Sequence, residues 1–263
     1  MHRVLITGAA GRLGTTLRKG LRGRVGALRL LDLAPLGTEE AGEELITADI
    51  RDLAAMTEAA ADVDVVIHLA GIADEAAFDR ILATNVVGTY NALEAARRQR
   101  CPRLVFASSS HVSGFYPIGQ HIGPDAPVRP DSYYGVGKAF GENLGRLYTD
   151  KHGLEVVCVR IGTFAERPTS PRHLCTWLSP RDAVELFYRC LVAPKVGFAV
   201  VYGVSANSCG WWDTTSAERL GYRPIDDAKR WASEVDPSAD DTADPTGSFQ
   251  GGRYASQEAG DTS

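Results

Sequence analysis

Val4-Leu5-Ile6-Thr7-Gly8-Ala9-Ala10-Gly11-Arg12-Leu13-Gly14 places three glycines at spacings of three, after an apolar run and ahead of residues with helical periodicity. Strand, tight turn and helix head follow one another here, and that succession decides the fold. Glycine is required because the chain must turn sharply, approach an anion with no Cβ in the way, and pack helix against sheet. The first-turn amides of such a helix point at the anion. Gly8, Gly11 and Gly14, with the backbone of Arg12 and Leu13, are therefore expected to cradle a diphosphate.

Working outward, Asp32 closes the next apolar run, Leu30-Leu31-Asp32, eighteen residues beyond Gly14. A carboxylate there accepts hydrogen bonds from ribose hydroxyls and repels a 2′-phosphate, which points to NAD rather than NADP. Asp49 and Ile50 close the third run, where they either meet the adenine edge or begin the next helix. Predicted strands are 3–7, 28–31, 45–47, 63–69, 103–107 and 155–160, apolar on nearly every residue as strands buried on both faces are. Predicted helices are 11–21, 53–60, 75–99 and 133–152, with another at 182–191 after Ser179-Pro180, a good cap and first-turn pair. This alternation predicts an α/β fold, a doubly wound parallel sheet of Rossmann type with a small C-terminal lobe covering the substrate. Residues 1–160 form the dinucleotide-binding part, 161–232 the lobe interleaved with the sheet, and 233–263 a largely irregular tail in which Phe249-Gln250-Gly251-Gly252 docks.

The chain's 263 residues, 44% hydrophobic and 23% charged, suffice for a sizeable core. Twenty-eight basic against 33 acidic residues give a net charge of −5, which excludes a nucleic-acid footprint. There is neither an 18-residue apolar run nor a signal-peptide pattern, so a soluble, cytoplasmic protein without membrane attachment is expected. Five widely spaced cysteines argue against a disulfide framework or a zinc site and predict buried free thiols.

Tyr134-Gly135-Val136-Gly137-Lys138 sets a phenol and an ammonium four apart, on one face of a predicted helix. A fixed cation favours the phenolate, bringing a group with a reference pKa near 10 closer to use as a general base. Upstream, Phe106-Ala107-Ser108-Ser109-Ser110-His111 ends a strand at the crevice beyond the sheet's carboxyl edge, where a serine hydroxyl can hold a reacting oxygen.

With cradle, serine cluster and Tyr–Lys pair in this order, the chain resembles the extended short-chain dehydrogenase/reductase superfamily. Its segments Tyr116-Pro117, Gly141-Glu142-Asn143-Leu144, Thr176-Trp177-Leu178-Ser179, Gly210-Trp211-Trp212-Asp213 and Phe249-Gln250-Gly251-Gly252 resemble the uronate dehydrogenases within it. The resemblance implies Tyr134, Lys138 and Ser109 as catalytic residues, and Leu69, Ala70, Gly71, Asn85 and Ile161 lining NAD. It further implies a sugar-acid substrate held by Ser109, Ser110, His111, Tyr134, Thr163 and Arg172, the last gripping the carboxylate, and a homo-oligomer built through the two long helices. The implied reaction is oxidation of a hexuronic acid, glucuronate or galacturonate, at C1 to the aldarolactone. Ser110 replaces the family's asparagine, Ala73 a serine, and Thr163 a serine whose hydroxyl it can supply. Two other readings are a sugar-nucleotide epimerase or dehydratase, for which 111 residues beyond His152 leave little enclosing chain, and a non-catalytic NAD-sensing module, which would not need the Tyr–Lys pair. Trp211-Trp212 and Tyr133 either stack on sugar or pack the lobe.

Overall fold

The computed structural model describes residues 2–239 and 248–260. Seven strands form one parallel sheet: β1 (Arg3–Thr7), β2 (Ala27–Asp32), β3 (Glu43–Thr47), β4 (Val65–His68), β5 (Arg103–Ser109), β6 (Glu155–Ile161) and, later in the chain, an edge strand at Phe198–Gly203. The spatial order is β3-β2-β1-β4-β5-β6 followed by the Phe198–Gly203 strand. The order reverses between β1 and β4, so a crevice opens above their carboxyl ends, the place where such sheets bind ligands.

Helices α1 (Arg12–Leu21), α2 (Leu53–Ala59), α3 (Phe78–Ile81), α4 (Val87–Arg98) and α5 (Tyr133–His152) link the strands. The sheet is buried on both faces because the strands alternate. Val4 and Ile6 meet Leu17 and Leu21 of α1, whereas Leu5 meets the core of Met56, Leu93 and Ala96 from α2 and α4. Ser132 caps α5 by accepting from Gly135 N at 3.0 Å, and Gly153, at φ +69°, stops it. A Cβ on Gly141 would lie 2.5 Å from Phe106, so the glycines within α5 let it sit hard against β5.

Beyond β6 come β7 (Thr163–Phe164), α6 (Pro171–Thr176), β8 (Trp177–Leu178) and α7 (Pro180–Val192), the last capped by Ser179 with Pro180 in its first turn as expected. Then follow β9, the Phe198–Gly203 edge strand, and α8 (Thr215–Arg219). β9 has no counterpart among the expected strands. Its run Phe198-Ala199-Val200-Val201-Tyr202 follows Pro194 and Gly197 in a region read as loops, yet it pairs with β6 over six residues. The predicted helix 75–99 is also divided. It starts at Phe78 and passes through a π turn at Leu82–Val86 before α4. Asp52, not Asp49, caps α2, and Asp49 accepts instead from Arg51. Cys175 and Cys209 form a disulfide, contrary to the expectation of free thiols throughout, because the end of α6 and the loop before Trp211 bring their Cα atoms to 4.8 Å. Cys101, Cys158 and Cys190 are buried free thiols. Trp211 and Trp212 pack, the latter stacked on Tyr202 at 5.0 Å. Positions 240–247 and 261–263 of the expected irregular tail lie outside the described residues.

Candidate active site

A cleft of about 1620 Å³ runs along the carboxyl ends of the central strands. Pockets for single drug-sized ligands hold roughly 300–1,000 Å³, so this one has room for a dinucleotide and a second small molecule. At one end lies the glycine turn. Gly8 has φ +72°, and a Cβ on it would meet Ala70 N at 2.6 Å. A Cβ on Gly14 would meet Gly8 O at 2.3 Å and Ala9 Cα at 2.7 Å, whereas one on Gly11 would have only Gly8 O within 4 Å, at 3.3 Å. Gly14 thus seats α1 against the turn, and Gly11 leaves open the space a diphosphate needs. Asp32 lines the cleft and accepts from Ala10 N at 2.9 Å and Ala34 N at 3.0 Å. Arg12, Leu13, Asp49, Ile50, Leu69, Ala70, Gly71 and Ile161 also line it.

Asn85 does not. Its Oδ1 accepts from Ile72 N at 2.8 Å and its Nδ2 donates to Ile72 O at 2.9 Å. Carried by the π turn, it holds the Gly71–Ile72 loop, so its amide supports the wall of the cleft. Ser110 is likewise buried off the cleft, in the 3₁₀ turn Ser110–Ser113, with its carbonyl accepting from Ser113 Oγ.

Tyr134, Lys138 and Ser109 come together as the sequence required. Strand alternation separates the two serines that end β5. Ser108 donates to Glu142 at 2.6 Å, beside the buried Arg160–Glu142 ion pair, while Ser109 hydrogen-bonds Tyr134. Lys138 Nζ donates to Ala107 O at 2.7 Å and lies 5.5 Å from the centroid of the Tyr134 ring. The electrostatics differ from the expectation that the lysine would favour the phenolate. Burial wins, pushing Tyr134 up to about 12 despite the Ser109 bond, with the charges of Asp131 and Asp74 adding to the rise. Burial also pushes Lys138 down to about 8. Burial first and the Lys138 charge second hold His68 down to about 3, so its imidazole is neutral, with Nδ1 bonded to Thr7 Oγ1 at 2.8 Å.

At the far end, His111, Thr163 and Arg172 line the cleft. His111 Nδ1 bonds Asp131 at 2.8 Å, Thr163 shares a hydrogen bond with Thr176, and Arg172 Nε donates to Gln250 O at 2.7 Å. The sequence reading missed the carboxylates that organise this end. Glu75 accepts from Tyr133 N and Tyr134 N at 3.1 and 2.8 Å, anchoring the head of α5. Asp74 accepts from Tyr254 Oη at 2.5 Å, and the Tyr254 ring lies 3.9 Å from that of His111. No sequence signal pairs residue 74 with residue 254. The docking of Phe249–Gly252 was foreseeable only from that apolar and glycine-bearing stretch inside a polar tail.

The family model described as the NAD dependent epimerase/dehydratase family matches residues 4–191. A uronate dehydrogenase of Pseudomonas putida is 43% identical over 259 residues, covering 97% of this chain and 96% of that one. A crystal structure of a glucuronic acid dehydrogenase from Chromohalobacter salexigens superposes with a TM-score of 0.95 at 40% identity, covering 100% of this chain and 99% of the other. A uronate dehydrogenase mutant from Agrobacterium tumefaciens complexed with NAD gives 0.92 at 42% identity, covering 98% of each chain.

Proposed function

Since this chain belongs to the NAD dependent epimerase/dehydratase family, we propose the function its cleft supports best, NAD-dependent oxidation of a hexuronic acid at C1. The carrying observation is that one cleft joins a diphosphate-sized glycine turn, the Ser109–Tyr134–Lys138 group and Arg172. The residues fit the dinucleotide. Amides of Gly11, Arg12 and Leu13 would hold its phosphates, Asp32 a ribose, Asp49 and Ile50 the adenine, and Leu69, Ala70, Gly71 and Ile161 its other end. Bound there, NAD⁺ supplies the acceptor for the hydride leaving C1.

Tyr134 takes the proton of the anomeric hydroxyl, and Ser109 steadies the oxygen that loses it. Lys138 holds the cofactor ribose and brings positive charge to the base. Because burial holds Tyr134 near 12, the base is protonated in the free protein at neutral pH, and its ionisation depends on positive charge arriving in the cleft. Arg172 grips the substrate carboxylate as a planar fork, while His111 and Thr163 meet ring hydroxyls. Held at both ends, the sugar presents C1 in one orientation, and transfer becomes effectively unimolecular.

The reading includes self-association through the outer face of α4 and α5, where Tyr90, Val136, Phe140 and Leu147 are exposed. Among the described residues no helix is long and apolar enough to cross a membrane. A dehydrogenase drawing on a dissociable nicotinamide pool works where that pool is kept, so the reading carries a cytoplasmic site of action. The test is NADH formation by the purified chain with glucuronate, galacturonate, the parent aldoses and UDP-sugars. Turnover restricted to the uronates supports the proposal, and turnover of aldoses without uronates refutes it.

A further inference from the structure

We infer that Gln250 is a positioning residue for Arg172, so that the C-terminal strap sets recognition of the substrate carboxylate; this rests on the function proposed above. The strap returns to the body of the protein through Ile118 N to Ser248 O at 2.7 Å, Gln250 N to Tyr116 O at 2.8 Å and Gly251 N to Gly114 O at 2.9 Å. Gln250 is its anchor and is 1% exposed. Its Oε1 accepts from Trp212 Nε1 at 2.7 Å, and its Nε2 donates to Pro117 O at 3.1 Å and Gln120 O at 2.8 Å. Both amide hydrogens and the amide oxygen are engaged, so any shift of this side chain leaves a buried polar group unpaired. Trp212 is itself fixed by its stack on Tyr202.

The backbone carbonyl of this immobile residue takes Arg172 Nε at 2.7 Å. Bidentate recognition of a carboxylate depends on the orientation of the guanidinium plane, and a fixed acceptor on Nε defines that plane. Gly252, at φ +60°, completes the fit, since a Cβ there would stand 3.0 Å from Arg172 Cδ. Two residues further on, Tyr254 lies against His111, so the same strap braces two of the residues at this end of the cleft. α6, which carries Arg172, has only six residues, and the strap supplies the guanidinium with an acceptor from outside that helix.

A double-mutant cycle on the purified full chain tests this, with Gln250→Ala and Arg172→Met made singly and together and glucuronate KM and kcat read from NADH formation. Gln250→Ala is expected to raise KM by about ten-fold or more while kcat changes by less than about three-fold. In the Arg172→Met background it should add almost nothing, because residues acting through one contact are not additive. Trp212→Phe, which keeps an aromatic ring for the Tyr202 stack and removes the donor to Oε1, should raise KM in the same direction by a smaller factor, and it decides the matter if Gln250→Ala does not fold. Effects that multiply, or a fall in kcat at unchanged KM, overturn the role given to Gln250. A wild-type chain that oxidises neutral aldoses and not glucuronate overturns the underlying reading instead.

Discussion

Gly11→Ala and Gly14→Ala each add one methyl group, and the cleft geometry gives them opposite consequences. At Gly14 the new carbon would stand 2.3 Å from Gly8 O and 2.7 and 2.8 Å from backbone atoms of Ala9, none of them the end of a flexible side chain. The head of α1 must therefore move off the turn, an overpacking cost of about 1–3 kcal/mol. In a domain of this size that corresponds to a fall in Tm of roughly 2–12 °C. At Gly11 the methyl meets a single atom, at 3.3 Å. Replacing a helix-capping glycine by alanine costs a few tenths of a kcal/mol to about 1, which the stiffer unfolded chain largely offsets, so Tm should stay within about 2 °C. Yet the methyl enters the space assigned to the diphosphate, and NADH affinity should fall by about ten-fold or more, equivalent to ~1.4 kcal/mol. NADH fluorescence titration and thermal unfolding on both variants separate the effects. Wild-type NADH affinity in Gly11→Ala would refute the cradle assignment even if Gly14→Ala behaves as expected.

Tyr134→Phe should leave NADH binding within a small factor of wild type and lower kcat by about 10²–10⁴, the usual contribution of a general base, as measured by steady-state NADH formation. The Asp74 charge raises the Tyr134 pKa, so Asp74→Asn should lower it. Oxidation needs the phenolate, hence the acidic limb of log(kcat/KM) against pH should move to lower pH, and a shift to higher pH would contradict the assignment. Glu142→Gln should destabilise the fold by about 3–5 kcal/mol, seen as a lower denaturation midpoint, because it leaves the buried Arg160 guanidinium without its counter-charge.

How much of this was legible in the sequence follows from the range of the interactions. The glycine turn, Asp32 and the Ser179 helix start are local signals, and β1 and α5 lie at their expected bounds. The edge strand β9 was missed because one apolar run flanked by proline and glycine reads equally as loop or strand, and only its partner β6 decides. The hold of Asn85 on the Ile72 backbone was not legible, because it is carried by a π turn, an irregularity that periodicity does not report. The Asp74–Tyr254, Glu75–α5 and Gln250–Arg172 contacts span 180, 58 or 59, and 78 residues, so they exist only once the chain has folded, the first and third only once the tail has folded back. The shift in Tyr134 is of the same kind. Spacing shows the lysine, but only burial shows that desolvation outweighs it.

The most direct trial of the central claim uses glucuronate carrying deuterium at C1, with the nicotinamide product examined by mass spectrometry. Transfer of the label, giving NADH one mass unit heavier in step with lactone formation and a slowed rate for the labelled sugar, is the predicted result. NADH of ordinary mass, formed while the deuterium stays on the sugar, would contradict oxidation at C1 and with it the arrangement of Tyr134, Ser109 and Arg172 around that carbon.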